Sequence, residues 1–135
     1  MKLNPDCVRD ILLSVEEICI SNKGMYYNGG FDNNPELLRK YSYEEVVYHI
    51  KQCEYYRLIL DVKYDDNDYD KFSIFIKDLS SQGYLFLANI REDNIWNETK
   101  SIAENVGSLS LPTLAQIADN IITKRIEMQI KLSYR

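Results

Sequence analysis

Apolar positions recur along this chain at two spacings, one helical and one alternating. Val8, Ile11, Leu12, Val15, Ile18 and Cys19 repeat every three or four residues, the signature of a helix that buries one stripe. Asn4, Pro5 and Asp6 precede them. These supply a cap acceptor, a pre-set φ and a carboxylate at the positive end of the helix dipole, so the helix is predicted to start there and to end before Gly24. The polar segment from Ser21 to Asn34 reads as a loop, with Met25, Tyr26, Tyr27 and Phe31 folding back on the core. Asn34-Pro35-Glu36 is a second start signal, but Leu37 to Tyr41 leaves room for about one turn before Ser42 intervenes.

The stretch from Ser42 to Val62 carries the clearest pattern. Ser42 and Glu45 make an S-x-x-E capping box, after which Val46, Ile50 and Cys53 form an inner stripe with Val47 beside it. The outer faces carry Glu44, Tyr48, Lys51 and Tyr55 on one side and Glu45, His49, Gln52 and Tyr56 on the other. Ile59 to Tyr64 then alternates as a strand, and Lys71 to Leu79 supplies a second, with Phe72, Ile74 and Ile76 on one face. A polar turn, Asp65 to Asp70, joins them into a hairpin.

Three further helices are predicted. Ser80 or Ser81 caps one that runs through Tyr84, Leu85, Leu87, Ala88 and Ile90, weakened by Gly83 near its start. After a break at Arg91 to Asp93, the spacing of Ile95, Thr99, Ile102, Ala103 and Val106 gives a helix that stops at Gly107. The last starts at Ser110-Leu111-Pro112 and runs to about Leu132. Leu111, Leu114, Ala118, Ile121, Ile122 and Ile126 form its main stripe, and Ile117, Met128, Ile130 and Leu132 fall outside it. A helix apolar on more than one face needs cover, from either its own core or a second subunit, and the second option gives a homodimer through this C-terminal helix.

Together these elements specify an α+β winged helix: a helix, a recognition-type helix, a two-stranded wing, and three additional C-terminal helices. The expected organisation is one domain over residues 1–135, with a winged-helix core at 1–79 and the C-terminal helices at 80–135. The run from Val46 to Ile59, VVYHIKQCEYYRLI, resembles the recognition-helix pattern V-x-x-H-L-x-x-L-x-x-x-G-L-[IV] of ArsR-like and MarR-like regulators. LNPDCVRDILLSVEE, the central S-x-E-E-V-x-Y-H-I and LSSQGYLFLANIREDNIWNETK are together similar to a family of winged-helix proteins classed only as a domain of unknown function, common in Gram-positive bacteria and their phages and prophages. This wider resemblance implies a fold and a setting, not an activity; it is winged-helix ancestry that favours a DNA-binding transcriptional regulator. Two departures stand out: Arg57 replaces the glycine that closes the regulator helix, and the segment before Ser42 is short for the helix that normally precedes it.

Charge complicates that expectation. The 135 residues carry a net charge of −5, whereas affinity for phosphate comes mainly from Lys and Arg. On a DNA-binding reading, Tyr43, Glu44, Tyr48, Lys51 and Tyr55 face the major groove, and Arg39, Lys40, Lys51 and Arg57 meet phosphates. The candidate nucleic-acid-binding residues are therefore Arg39, Lys40, Tyr43, Tyr48, Lys51, Tyr55 and Arg57, with double-stranded DNA as partner. The competing expectation is a protein-interaction module that keeps the scaffold and has lost DNA binding. The net charge, the acidic wing tip and the tyrosine-rich face of the recognition-type helix favour it, tyrosine being suited to half-buried surfaces.

Catalytic chemistry finds little support, and no enzyme activity, cofactor or metal is expected. Asp66, Asp68 and Asp70 have the first spacings of a calcium loop, but Lys71 and Lys77 occupy the positions that require Gly and Glu. His49, the single histidine, is expected to be structural or to lie on the helix surface. It lies one turn from Cys53, yet Cys53 belongs to the inner stripe and His49 to the outer. Cys7, Cys19 and Cys53 are odd in number and show no C-x-x-C spacing, so reduced structural thiols are expected. The opening MKLNPDCVRD has no apolar h-region and no run reaches the ~18 apolar residues of a membrane span. A cytoplasmic location is expected.

Overall fold

The computed structural model describes residues 1–29, 34–65 and 73–134. They form a mixed α+β arrangement with two compact units, Met1–Tyr84 and Leu85–Arg135.

In the first unit, helix α1 spans Pro5–Ile18. Asn4 caps it as expected, its Oδ1 accepting from the N–H groups of Asp6 at 3.1 Å and Cys7 at 3.4 Å. Cys7, Val8, Ile11, Leu12 and Val15 are fully buried along its inner stripe. The next segment departs from the predicted loop: Met25–Asn28 is a strand, β1. Met25 and Tyr27 point inward, and Tyr26 is 62% exposed. Gly24 lets it lie down, because a Cβ there would overlap the Phe75 ring.

A single 3₁₀ turn, Glu36–Leu38, precedes α2, which spans Tyr43–Tyr55. Ser42 Oγ accepts from the N–H of Glu45 at 3.1 Å. Val46, Ile50 and Cys53 are fully buried, and Val47 beside them is buried as well. His49 corrects the outward placement expected for it, since its side chain is also fully buried.

Each predicted wing strand is divided in two. Asp61, with φ 49°, breaks the first into β2 (Ile59–Leu60) and β3 (Lys63–Asp65). The second becomes β4 (Ser73–Ile76) and β5 (Asp78–Leu79), and the intervening Lys77 N–H donates to Leu60 O at 3.1 Å. β4 is the middle strand of an antiparallel sheet in the order β1-β4-β3. Its Ile76 opposes Met25, and its Phe75 opposes both Tyr26 and Lys63. β2 and β5 form a separate antiparallel pair, Ile59 opposite Leu79. Phe31, Asp66, Asp68, Asp70, Lys71 and Phe72, with the wing tip and the calcium-like spacing, lie outside the described residues.

Helix α3 spans Ser81–Ile90, and Ser80 is its cap, the Oγ accepting from the N–H of Gly83 at 3.0 Å. Gly83 is required there, because a Cβ would overlap the carbonyl oxygen of Leu58.

In the second unit, α4 spans Asp93–Val106 and α5 spans Leu111–Ser133. Trp96 and Thr99 are buried on α4, and Thr99 Oγ1 donates to Ile95 O at 2.7 Å. Gly107 ends α4 with φ 88°, as predicted, and Ser110 caps α5. Leu111, Leu114, Ala118 and Ile121 of α5 are buried, but every residue from 123 to 134 is exposed. Ile126, placed on the main stripe from its spacing, is 53% exposed. Beside the buried stripe runs a groove of about 750 Å³ lined by Ile102, Ile117, Ile121, Met128 and Leu132, with Arg125 Nη2 bonded to Glu98 Oε2 at 3.1 Å.

Candidate nucleic-acid interface

The outward face of α2 is fixed by a bond at its inner side. Asn4 N–H can only donate, so its 2.7 Å contact to His49 Nε2 makes that nitrogen the acceptor. The neutral ring then carries its proton on Nδ1, which donates to Glu45 O at 2.7 Å. Asn4 also reaches Glu45 Oε2 through Nδ2 at 3.3 Å. The residue that caps α1 therefore seats α2, and Tyr48 lies edge-on against the His49 ring with centroids 4.9 Å apart.

Both ring nitrogens of His49 are thus engaged in holding structure. Cys53, one turn on, is fully buried, and burial pushes its thiol far above the usual range. Burial also raises Cys7, to about 12, with Glu45 and then Asp10 adding to the effect.

Arg39 and Lys40, both proposed as phosphate contacts, are held by tertiary partners within the fold. Lys40 Nζ lies 3.0 Å from Asp10 Oδ2, the same oxygen that accepts from Tyr41 Oη at 2.6 Å. Burial, followed by this bond to Asp10, raises the Tyr41 phenol. Arg39 Nε donates to Asn34 O at 3.0 Å. Arg39 and Lys40 thereby tie the joint before α2 to α1 and to the turn near Asn34.

The remaining candidates sit on or beside α2. Tyr43 stacks on Tyr27 at 6.1 Å and 13°. Lys51 Nζ lies 5.8 Å from the Tyr64 ring centre, and Tyr64 Oη donates to Glu54 Oε1 at 2.8 Å. Burial, then this bond, raises the Tyr64 phenol. Tyr55 is 76% exposed with its ring edge against Tyr56. Arg57 is exposed at the exit of α2. The fold brings Lys51, Tyr55 and Arg57 onto one helix and its exit, and adds Tyr64 of β3 to them. The alternation of Ile59 to Tyr64 hinted at Tyr64, but the break at Asp61 hid its pairing with α2.

Among the described residues no group of three or more His, Cys, Asp or Glu side chains could hold a metal ion, and no helix is long and apolar enough to cross a membrane.

The match that decides the family covers residues 2–110, with a model described as "Hypothetical protein (DUF2513)". The chain belongs to the DUF2513 family. A relative from Haemophilus influenzae, printed as "Uncharacterized protein", is 30% identical over 129 residues, covering 93% of this chain and 99% of that one. No solved structure matches. The DUF2513 match ends at Ser110, the residue that caps α5.

Proposed function

We propose that this DUF2513 protein is a cytoplasmic winged-helix DNA-binding regulator of phage or prophage setting, without enzymatic activity, that presents α2 to double-stranded DNA. One observation carries the reading: a three-stranded sheet in the order β1-β4-β3, with β1 lying between α1 and α2 in the chain. A winged helix uses this order, a first strand pairing with the returning strand of the wing while the second helix of the pair stays outward. The exposed residues of α2 and its exit then include Lys51, Tyr55 and Arg57.

The distribution of cations sets the expected strength. If Lys51 and Arg57 meet phosphates and Arg39 and Lys40 stay in the fold, two charges give a salt slope of about −1.8, whereas four give about −3.6. A fourfold rise in salt then weakens binding roughly 12-fold rather than roughly 150-fold. Fluorescence anisotropy of labelled duplexes of phage and host sequence, run from 50 to 200 mM salt, measures this directly. Absence of binding at 50 mM rejects the regulator.

A second reading, a protein-contact module on the same scaffold, is favoured by charge. Residues 1–84 hold ten Lys and Arg against fifteen Asp and Glu, and Glu44 and Glu54 are exposed on α2 itself. Tyrosines such as Tyr55 and Tyr64 suit protein contact, being rigid, broad and amphipathic. On this reading the anisotropy series stays flat.

Either reading includes a homodimer through α5, supported by Ile126, Met128, Ile130 and Leu132, each at least half exposed on a helix that cannot cover them itself. Light scattering should give twice the chain mass, and Ile126→Glu with Ile130→Glu should return the monomer. A monomer for the unaltered chain at high concentration removes this part of the proposal.

A further inference from the structure

The exit of α2 contains a residue of a type that its conformation disfavours. Leu58 N–H donates to Cys53 O at 2.8 Å and Arg57 N–H to Glu54 O at 2.9 Å, the paired bonds of a Schellman cap. That cap places Arg57 in the left-handed region, with φ 59°. The same pair of bonds closes α4: Ser108 N–H to Ala103 O at 3.0 Å and Gly107 N–H to Glu104 O at 3.1 Å. There the left-handed residue is a glycine.

The chain therefore builds one cap twice, once without strain and once with an arginine. Ser21 and Asp61 also have positive φ, but their side chains are short and polar, able to bond locally. Arg57 is the one long cation among the described non-glycine residues in this region. Its side chain is exposed, so core packing does not explain it. Its backbone is fixed from the other side: Ser80 Oγ, the cap of α3, donates to Arg57 O at 2.5 Å. The guanidinium thus extends from a rigid anchor between the end of α2 and the start of β2. Non-glycine residues held in such conformations cluster at active sites, ligand clamps and switch regions.

We propose that Arg57 is a phosphate-binding residue of the DNA face, kept at a position where glycine would make a more stable fold. The inference rests on the DNA-binding reading above, which already counts Arg57 among the phosphate contacts, and adds that its strained, anchored backbone is kept for that contact. A planar guanidinium meets a phosphate with two parallel N–H bonds, which lysine cannot reproduce, although lysine retains the charge.

Three variants test it, Arg57→Gly, Arg57→Ala and Arg57→Lys, each melted thermally and titrated against the same labelled duplex from 50 to 200 mM salt. Arg57→Gly should melt a few degrees higher than the unaltered chain. Its salt slope should flatten by about 0.9 and its affinity at 50 mM should fall roughly tenfold, the signature of one lost phosphate contact. Arg57→Ala should lose the same slope without the gain in melting temperature. Arg57→Lys should keep the slope.

The outcomes separate. If the unaltered chain binds and Arg57→Gly binds with the same slope, the Arg57 proposal is overturned and the regulator reading stands. If Arg57→Gly melts lower, the strain it depends on is absent and the proposal fails. If the unaltered chain does not bind at 50 mM, both fall together.

Discussion

Replacing Gly83 with alanine sets two effects of known sign against each other. Gly83 lies near the N-terminus of α3, where helix propensity favours alanine over glycine by about 1 kcal/mol. Propensity alone therefore makes Gly83→Ala stabilising. The tertiary structure opposes this, since the added Cβ would overlap the Leu58 carbonyl oxygen and lie 3.0 Å from its carbon. That oxygen is not a side-chain end that can swing away. It is backbone, and it accepts from Ser80 N–H at 3.0 Å. Relief requires the start of α3 to move away from the α2 exit, stretching this bond and the Ser80 Oγ bond to Arg57 O. Forcing one extra methyl into a packed site costs typically 1–3 kcal/mol, and the loss or weakening of a hydrogen bond adds about 1 kcal/mol. Packing outweighs propensity, and the net expectation is a loss of about 1–3 kcal/mol. Urea unfolding should show a lower midpoint with an unchanged m-value, while Gln82→Ala, one residue earlier and exposed, should be nearly neutral. A Gly83→Ala chain as stable as the original or more so would refute the close approach of Leu58 to α3.

Three other expectations follow from the same packing. His49→Ala leaves the Asn4 N–H without its acceptor and opens a cavity, so unfolding should be easier by about 3–5 kcal/mol, read by denaturant titration. Cys7 is raised by burial to about 12 from its ordinary 9, and Tyr27 to about 12 from 10, also chiefly by burial. Their neutral forms are favoured in the fold, so this stability is fully present below pH 9 and is lost as pH climbs toward 12. The melting temperature should hold level from pH 7 to 9 and fall above it; a rise above pH 9 contradicts the burial. Because Cys7, Cys19 and Cys53 are all buried, Ellman's reagent should label less than one thiol per chain at pH 8 and all three in denaturant.

Helix ends were the legible part of this chain, because caps act over three or four residues. Asn4, Ser42, Ser110 and Gly107 each stand where the pattern placed them. The reduction of the helix before α2 to one turn was legible from the spacing between Pro35 and Ser42. β1 was not, since Met25, Tyr26 and Tyr27 give barely one period of alternation beside glycines, and what makes them a strand is β4, far along the chain. The division of the wing strands depends on the left-handed turn at Asp61, which a run of alternating residues does not reveal. Helical spacing alone points His49 outward, and the residue that draws it inward, Asn4, caps another helix. Spacing likewise leaves Lys40 and Arg39 available for phosphate, because their partners, Asp10 and Asn34 O, are tertiary.

The pairing of Met25 with Ile76 spans about fifty residues, and it governs the order in which this protein can be made. A chain emerging from the ribosome can form α1 and seat α2 upon it through Asn4 and His49 well before residue 73 exists. Until then β1 has no partner strand, and its two inward residues, Met25 and Tyr27, face water beside an open edge. Fragments that stop between α2 and β4 should collect in the insoluble fraction, and extending them through Leu79 should recover solubility. Any shortened version of the first unit therefore has to be cut after the sheet closes rather than after the helix that gives it its interest.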